Sequence, residues 1–563
     1  MKNLYLPNML TVLLVCLSFA AAQENSPAPT TPCRIIVSCD NANLTRTEEK
    51  RERIPLTDEI ITASIDRSIA GGCDLFMLET VTYVPCWKSS IYPIEEHVAW
   101  FRKNFNGRIN NYAKYMLEGG DMIKVMTGHC RSKGIAPFVS FRMNDWHGMF
   151  CLEVPKTVRV PDHVSFKVDR FRKEHPEYWI TKPEERNPIP PEAFKARNFF
   201  RYLRMNKLDG RLREEHLMNW KRGEVRNRLF SLIQEVCENY DIDGIQLDFM
   251  RHNRYYFRAG ETSHDERVNI FTGFIQRVRR MLDQTARHNK KRLLCVRIPA
   301  WLAACKERGF DIKSLAGAGV DMFNLSNNYY SVQQSDLRKM KQRAPDAAFY
   351  LEMTYCLAVG HLRHGRRFTQ PEHFRTTADL VYHQGGAGLS LFNIQWYRPY
   401  ARKDAPWGAI RTIKDPKKLA QGSRQYFLAK GWNSHLKVLK GDLPEHIKEI
   451  ITGPMAPGRT RKLAMEMSLP QDIRDRKSVL RFQSEEPFTD QVIQVRLNGL
   501  KLAARKNTAP VFDSPYPAMI PDKDTWRAWH VPVSALKNGR NVIEIVHRKG
   551  EPFNSVYVEI AVR

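Results

Sequence analysis

A chain of 563 residues has room for one large domain and one or two small ones, and no run after its N-terminus approaches the ~18 apolar residues of a membrane-spanning helix. Its 88 Lys and Arg against 61 Asp and Glu give a formal charge of +27, which favours polyanionic partners. The basic residues are scattered without a Lys/Arg block, so the balance reads as a solvated basic surface, with an acidic polysaccharide substrate as the sharper alternative and no nucleic acid expected.

Residues 1–22 begin with Lys2, continue through an apolar core from Met9 to Phe19 and close on Ala20-Ala21-Ala22, the pattern of a secretory signal peptide cleaved after about Ala22. The apolar core is too short for a span, and Val15 ahead of Cys16 is too large for a lipoprotein cleavage box. A secreted or periplasmic location is the expectation, with 23–32 as a linker. Ten cysteines remain after cleavage, all from Cys33 to Cys356, without the paired CxxC of a zinc site, so no metal is expected. Cys39, Cys295 and Cys356 fall in predicted strands as small buried thiols. An oxidising compartment still allows a bridge, and Cys73 with Cys86 is the candidate.

From Cys33 onward short apolar runs recur between turn residues: Arg34 to Cys39, Leu75 to Glu79, Ala136 to Asn144, Ile242 to Phe249, Leu293 to Ile298, Met322 to Ser326, Ala348 to Thr354 and Leu389 to Asn393. Helical patterns separate them. Glu224 to Tyr240 sets Val225, Leu229, Leu232, Ile233 and Val236 on one face, and Arg267 to His288 does the same with Val268, Phe271, Phe274, Ile275, Val278 and Leu282. Strands alternating with helices predict parallel βαβ units, and eight such strands close a (β/α)8 TIM barrel, here over 33–430. A Pro-rich insertion over 151–213 is expected to form a lid or one wall of the cleft. After a last helical stretch over Lys417 to Lys430 and a connector over 431–455, residues 456–563 hold only alternating patterns such as Val492 to Gly499 and Asn541 to Val546. They read as an antiparallel β-sandwich.

Strand alternation also predicts what faces into the barrel at its C-terminal end, where barrel active sites lie. The set is Asp40, Glu79, Arg142, Asn144, Asp248, Arg297, Asn324, Ser326, Glu352 and Asn393. Simultaneous polarity at one end of a core is hard to explain without a functional cavity. Asp248 and Glu352 are the candidate catalytic pair, because a glycosidic bond is broken by two carboxylates, one protonating the leaving oxygen and one attacking or activating water. Glu79, Arg142, Asn144, Arg251, Arg297, Asn324 and Asn393 are candidate substrate contacts, with Arg142 and Arg297 expected to keep one carboxylate ionised. Trp146, His147, Tyr255, Tyr256, Trp301, Tyr329, Tyr330, Tyr355, Trp396 and Tyr397 follow the strand ends. Trp396 and then Trp301 are the preferred platforms for stacking on a sugar ring. No Gly-rich dinucleotide fingerprint is present, and no cofactor is expected.

The strand Asp243-Gly244-Ile245-Gln246-Leu247-Asp248-Phe249-Met250-Arg251, close to a DGxxLDxxR pattern, resembles the glycoside-hydrolase-like proteins related to family 10. So does the earlier segment Phe171-Arg172-Lys173-Glu174-His175-Pro176-Glu177-Tyr178-Trp179. The resemblance implies a secreted glycosidase-type TIM barrel with its two carboxylates on the fourth and seventh strands. Leu247-Asp248 stands where the better-known retaining pattern has Asn-Glu, which leaves open which carboxylate is the acid. The terminal segment resembles galactose-binding-like modules through Val495-Arg496-Leu497-Asn498-Gly499 and Trp529-His530-Val531-Pro532-Val533. These features imply a glycoside hydrolase acting on a polysaccharide, with a noncatalytic carbohydrate-binding barrel as the alternative.

Overall fold

The computed structural model describes residues 33–40, 44, 54–80, 83–195, 198–251, 256–327, 330–359, 366–429, 454–516 and 523–563. The expected signal peptide and most of the expected connector lie outside the described residues. Eight parallel strands close a barrel: β1 (Ile35–Asp40), β2 (Leu75–Thr80), β3 (Ala136–Arg142), β4 (Gly244–Asp248), β5 (Leu293–Pro299), β6 (Met322–Ser326), β7 (Ala348–Met353) and, after the hairpin β8 (Cys356–Val359) and β9 (Arg366–Phe368), β10 (Gly388–Phe392). Each of the eight predicted runs supplies one barrel strand, and β10 pairs with β1 to complete the closure.

Each strand is buried on both faces, so its side chains divide between two cores. Val37, Leu78, Val139, Ile245, Leu247, Val296, Leu325 and Leu351 face outward into an apolar layer filled by the surrounding helices. The helix Gly223–Asn239 seals part of that layer with Val225, Leu229, Leu232, Ile233 and Val236, and His264–Gln284 another part with Phe271, Phe274, Ile275, Val278 and Leu282. A Ser263–Glu266 capping box starts the second helix. Gly244 is demanded by packing, because a Cβ there would lie 2.3 Å from the Leu293 carbonyl oxygen and 2.5 Å from the Phe138 ring. Asp243 beside it faces the opposite end of the barrel and pairs with Arg131 at 2.8 Å and Lys290 at 3.0 Å.

The insertion after β3 folds into short helices packed on the barrel rather than a structureless loop. Its His175-Pro176-Glu177-Tyr178-Trp179 element is structural. The Trp179 ring lies edge-on to His216 at 4.3 Å, its Nε1 donates to the Arg172 carbonyl at 2.8 Å, and Arg258 donates to the Trp179 and Glu177 carbonyls.

Of the segment expected to be helical over Lys417–Lys430, only Lys417 to Leu419 are helical among the described residues. A one-turn helix, Pro416–Leu419, stops at Gly422, whose φ is +98°, and β11 (Arg424–Ala429) then joins the C-terminal module. Tyr426 and Leu428 point into the sandwich core, a two-residue period that the helix-favouring composition conceals. The remaining strands are β12 (Thr460–Met467), β13 (Ser478–Ser484), β14 (Val492–Leu497), β15 (Leu500–Lys501), β16 (Ala503–Arg505), β17 (Trp526–Val531), β18 (Gly539–Lys549) and β19 (Ser555–Val562). They form one sheet in the order β11-β19-β13-β17-β16 and another in the order β12-β18-β14-β15, with the antiparallel pairing expected of a β-sandwich. Leu463, Leu480, Phe482, Val495, Ile543, Ile545 and Ile560 fill the space between the sheets.

Barrel and sandwich belong to one compact unit, Arg34–Arg563. Gln333, in the segment after β6, grips the backbone of β11 twice, donating to the Gln425 carbonyl and accepting from the Phe427 amide, both at 2.9 Å. Arg367 of β9 lies over the Tyr557 ring at 4.0 Å and the Trp526 ring at 5.0 Å. Two aromatic rings of the sandwich are thus engaged with the barrel.

Candidate active site at the barrel mouth

The upper interior of the barrel is a charged layer. Asp40, Glu79, Arg142, Asp248, Arg297 and Glu352 are all buried, and Asp248, Arg297 and Glu79 are entirely so. Register aligns them: Asp40 with Glu79, Arg142 with Asp248, and Asp248 with Arg297. The inward parity read from the sequence is therefore correct, and these side chains meet in two linked clusters.

In the first cluster Arg297 bridges the two expected catalytic carboxylates. Its Nη1 donates to Asp248 Oδ2 at 2.9 Å, while Nε and Nη2 grip both oxygens of Glu352 at 2.6 Å each. The other Asp248 oxygen accepts from the Met250 amide at 2.8 Å. Glu352 also accepts from Ser326 Oγ at 2.7 Å and Asn324 Nδ2 at 3.3 Å. Asp248 and Glu352, 104 residues apart in sequence numbering, come together as expected, but the guanidinium occupies the space between them. Burial pushes Glu352 above the usual carboxylate range against the pull of Arg297 and Ser326, with the Asp248 charge adding to the rise.

Arg142 centres the second cluster. It holds Asp40 at 2.6 Å, Glu79 at 3.1 Å and Asp145 at 2.9 Å. Arg251, the last residue of the DGxxLDxxR pattern, reaches back from the end of β4 to Asp40 at 3.1 Å. Burial raises Glu79 to about 7: Arg251 and Arg142 oppose the rise, and the Asp248 charge reinforces it. Burial acts on Asp40 in the same direction, but Arg142, Arg251, Lys167 and His147 together outweigh it and hold that carboxyl well below its ordinary value. Across both clusters five carboxylates face three guanidinium groups, so burial acts on an excess of negative charge.

Asp145 and His147 were read from the sequence only as part of an aromatic fringe or not at all. Asp145 is buried, accepts from Arg142 through Oδ2, and pairs through Oδ1 with His147 Nδ1. The His147 side chain keeps 22% of its surface exposed. Burial lowers His147 to about 3: Asp145 opposes that drop, while Lys167 and Arg251 add to it. The imidazole is therefore neutral over the physiological range. The D-x-H spacing at the end of a predicted strand is the signal that would have found this dyad.

Lys167, which belongs to the insertion, brings its positive charge to bear on Asp40 and His147. Gly148 allows it close: φ is +82° there, and a Cβ would lie 2.9 Å from the Lys167 Cβ.

Several expected contacts are reassigned. Asn144 spends its amide on the Met218 backbone, donating to the carbonyl and accepting from the amide at 3.0 Å each, so it anchors the end of the insertion. Asn393, at φ +50°, accepts from the Asp40 amide at 2.9 Å and ties β10 to β1. Asn324 positions Glu352 and Gln246. Trp301 is 3% exposed within the outer apolar core, which corrects its expected role as a stacking platform. Tyr256, Tyr330, Tyr355 and Tyr397 are buried as well, while Tyr255 and Tyr329 lie outside the described residues. Trp396 and Trp146 stay partly exposed, the first packed on Tyr400 at 5.0 Å and the second under the Arg213 guanidinium at 5.8 Å.

Cys39, Cys295 and Cys356 are buried thiols as expected, but no disulfide joins Cys73 to Cys86. Both are buried thiols, and Cys73 donates to the Leu75 carbonyl. Among the described residues no group of three or more His, Cys, Asp or Glu could hold a metal ion, and no helix is long and apolar enough to cross a membrane.

No family model matches the sequence, and no curated protein matches it. The resemblance to the family 10-related proteins thus stands on the motif residues alone. Among solved structures the chain is similar to α-L-fucosidase isoenzyme 1 from Paenibacillus thiaminolyticus, with 12% identity over 92% of this chain and 97% of that one and a TM-score of 0.34. It is also similar to the PgaB (BpsB) glycoside hydrolase domain from Bordetella bronchiseptica, with 8% identity over 68% and 99% of the two chains and a TM-score of 0.37. A Group IV chitinase from Ostrinia furnacalis shows 10% identity over 67% and 98%, with a TM-score of 0.36. All three are glycoside hydrolases by name.

Proposed function

We propose that the protein is an exported glycoside hydrolase that cleaves an anionic polysaccharide at the mouth of the barrel, with Asp248 and Glu352 as the catalytic pair. The observation that supports this reading is geometric: Asp248 of β4 and Glu352 of β7 reach the same buried guanidinium, Arg297, and burial raises the Glu352 carboxyl above its usual range. Breaking a glycosidic bond takes one carboxyl that donates a proton and one that attacks or activates water, and environments that push carboxylates apart in acidity supply both. Glu352 takes the acid role and Asp248 the nucleophile or base role. His147 and Trp396, both partly exposed, are the side chains assigned here to meet the sugar.

The reaction carries one mechanical condition. Arg297 has to surrender one of its two carboxylates before a glycosidic oxygen can sit between them, and a carboxylate or sulfate on the sugar is chemically equipped to take that place on a guanidinium. The same closed bridge favours a second reading, a noncatalytic carbohydrate-binding barrel in which Arg297 serves to neutralise the pair. A panel of sulfated, uronic-acid and neutral polysaccharides with reducing-end detection separates the two. Release of reducing ends from a charged polymer is expected. Binding without release across the whole panel would leave the noncatalytic reading standing.

A further inference from the structure

Among the described residues, two clefts lined by basic side chains differ in how far those charges are answered. The first, about 330 Å³, lies at the closed end of the barrel, where Arg131 pairs with Asp241 and Asp243, and Lys290 with Asp243. Lys291 beside it pairs with Asp321. The second is a groove of about 900 Å³ lined by Arg102, Arg108, Asn111 and Lys114, with Asp162 as its acidic member. Arg159 lies next to it, bridged through its backbone to Asn106. All four cations are exposed, and among the described residues none of them has an ion-pair partner. A cleft that gathers unanswered charge of one sign raises the local concentration of opposite charge, and a neutralised one does not.

The floor of the groove is tied to the insertion that carries Lys167. Segment 105–112 and the insertion are stitched together by the Val160 amide on the Asn106 carbonyl at 2.8 Å and the Asn110 amide on Ser165 Oγ at 3.0 Å. Two residues beyond Ser165 stands Lys167, whose charge acts on Asp40 and His147. Asp162 at the groove and Lys167 are five positions apart in the chain, a reach of at most about 18 Å even when extended.

We propose that this groove is a binding site for an anionic polysaccharide, one bearing sulfate or carboxylate groups, and that it holds the chain for the mouth. The proposal deepens the glycosidase reading by naming its substrate class and rests on that reading only for cleavage of what is bound. Nucleic acid fits less well, because Tyr112, the one aromatic ring of the lining, is 3% exposed, leaving no face on which a base can stack.

The test is a binding titration of the full chain with dextran sulfate, polygalacturonate, neutral dextran and single-stranded DNA at several salt concentrations. It is repeated for the paired substitutions Arg108→Gln with Lys114→Gln and, as a control, Lys290→Gln with Lys291→Gln. The expected result is that both charged polysaccharides bind and neutral dextran does not. Loss of Arg108 and Lys114 should weaken binding by about tenfold or more and lower the slope of log affinity against log salt by about two, while the control pair changes affinity by less than about twofold. The dextran sulfate and polygalacturonate arms assign the anionic group. Equal losses in both variants, equal binding of neutral dextran, or DNA bound more tightly than either polysaccharide through Arg108 and Lys114 would each overturn the proposal. Because the readout is binding, a lack of turnover bears on the cleavage reading and a lack of groove-dependent affinity bears on this one.

Discussion

The upper interior of the barrel and the interior of the sandwich are equally buried and chemically opposite. Leu480, Phe482, Ile543 and Ile545 lie at 0% exposure among other apolar side chains. Asp248, Arg297 and Glu79 lie at 0% exposure among charges. Desolvating an ion costs several kcal/mol even in a relaxed protein, by order of magnitude, and its partner seldom returns more than that. A chain that fills one core with hydrocarbon and the other with five carboxylates and three guanidinium groups is treating the second as a site.

The contrast is sharpest at Arg297. Arg297→Met should cost about 3–5 kcal/mol at neutral pH, because two buried carboxylates lose their shared counter-ion. Urea unfolding should show part of that loss recovered in acid, where protonation relieves the stranded charge. A loss independent of pH would break the comparison. Ile543→Ala removes apolar volume from the sandwich and should cost about 2–4 kcal/mol, the same at pH 5 as at pH 7, since no charge is involved.

Glu79 gives a smaller effect with a defined sign. Its carboxyl is raised from 4.5 to about 7 by burial, so the folded protein holds a proton there that the unfolded chain has released. The stability from that bound proton is fully present below about 4.5 and lost as pH rises through about 7. The melting temperature of the parent protein relative to Glu79→Gln should fall across that window, and a constant difference would contradict the assignment. The smallest effect is at His147, lowered to about 3 by burial against the pull of Asp145 and with the help of Lys167. Its imidazole resonances should not titrate between pH 5 and 8, and Lys167→Met should move its acidic transition upward by removing a nearby cation. Titration near its ordinary value in the parent protein would show the dyad to be open to water.

How much of this was legible in the sequence follows from what periodicity measures. Alternation fixes which way a strand residue points, so all eight barrel strands and the inward set from Asp40 to Asn393 could be read from Val37, Ile245 or Leu325 and their neighbours. Alternation says nothing about partners. That Asn144 would be spent on Met218, that Arg297 would hold both carboxylates, and that Asp145 and His147 would form a dyad all depend on contacts between distant segments. Trp301 illustrates the same limit, because an aromatic after a strand end packs inward or opens to solvent according to helices that its own sequence does not specify. At 417–430, Lys, Leu, Ala and Gln favour a helix, but Gly422 and the pairing of β11 with β19 override that preference.

The account stands most directly on the reducing ends released from a charged polysaccharide by the parent protein, Asp248→Asn and Glu352→Gln, measured beside polymer binding by the same three proteins. It predicts turnover in the parent, a loss of at least about a hundredfold in each variant, and binding retained in all three. Turnover unchanged by both substitutions, or polymer bound by all three proteins with no reducing ends released by any, would contradict it.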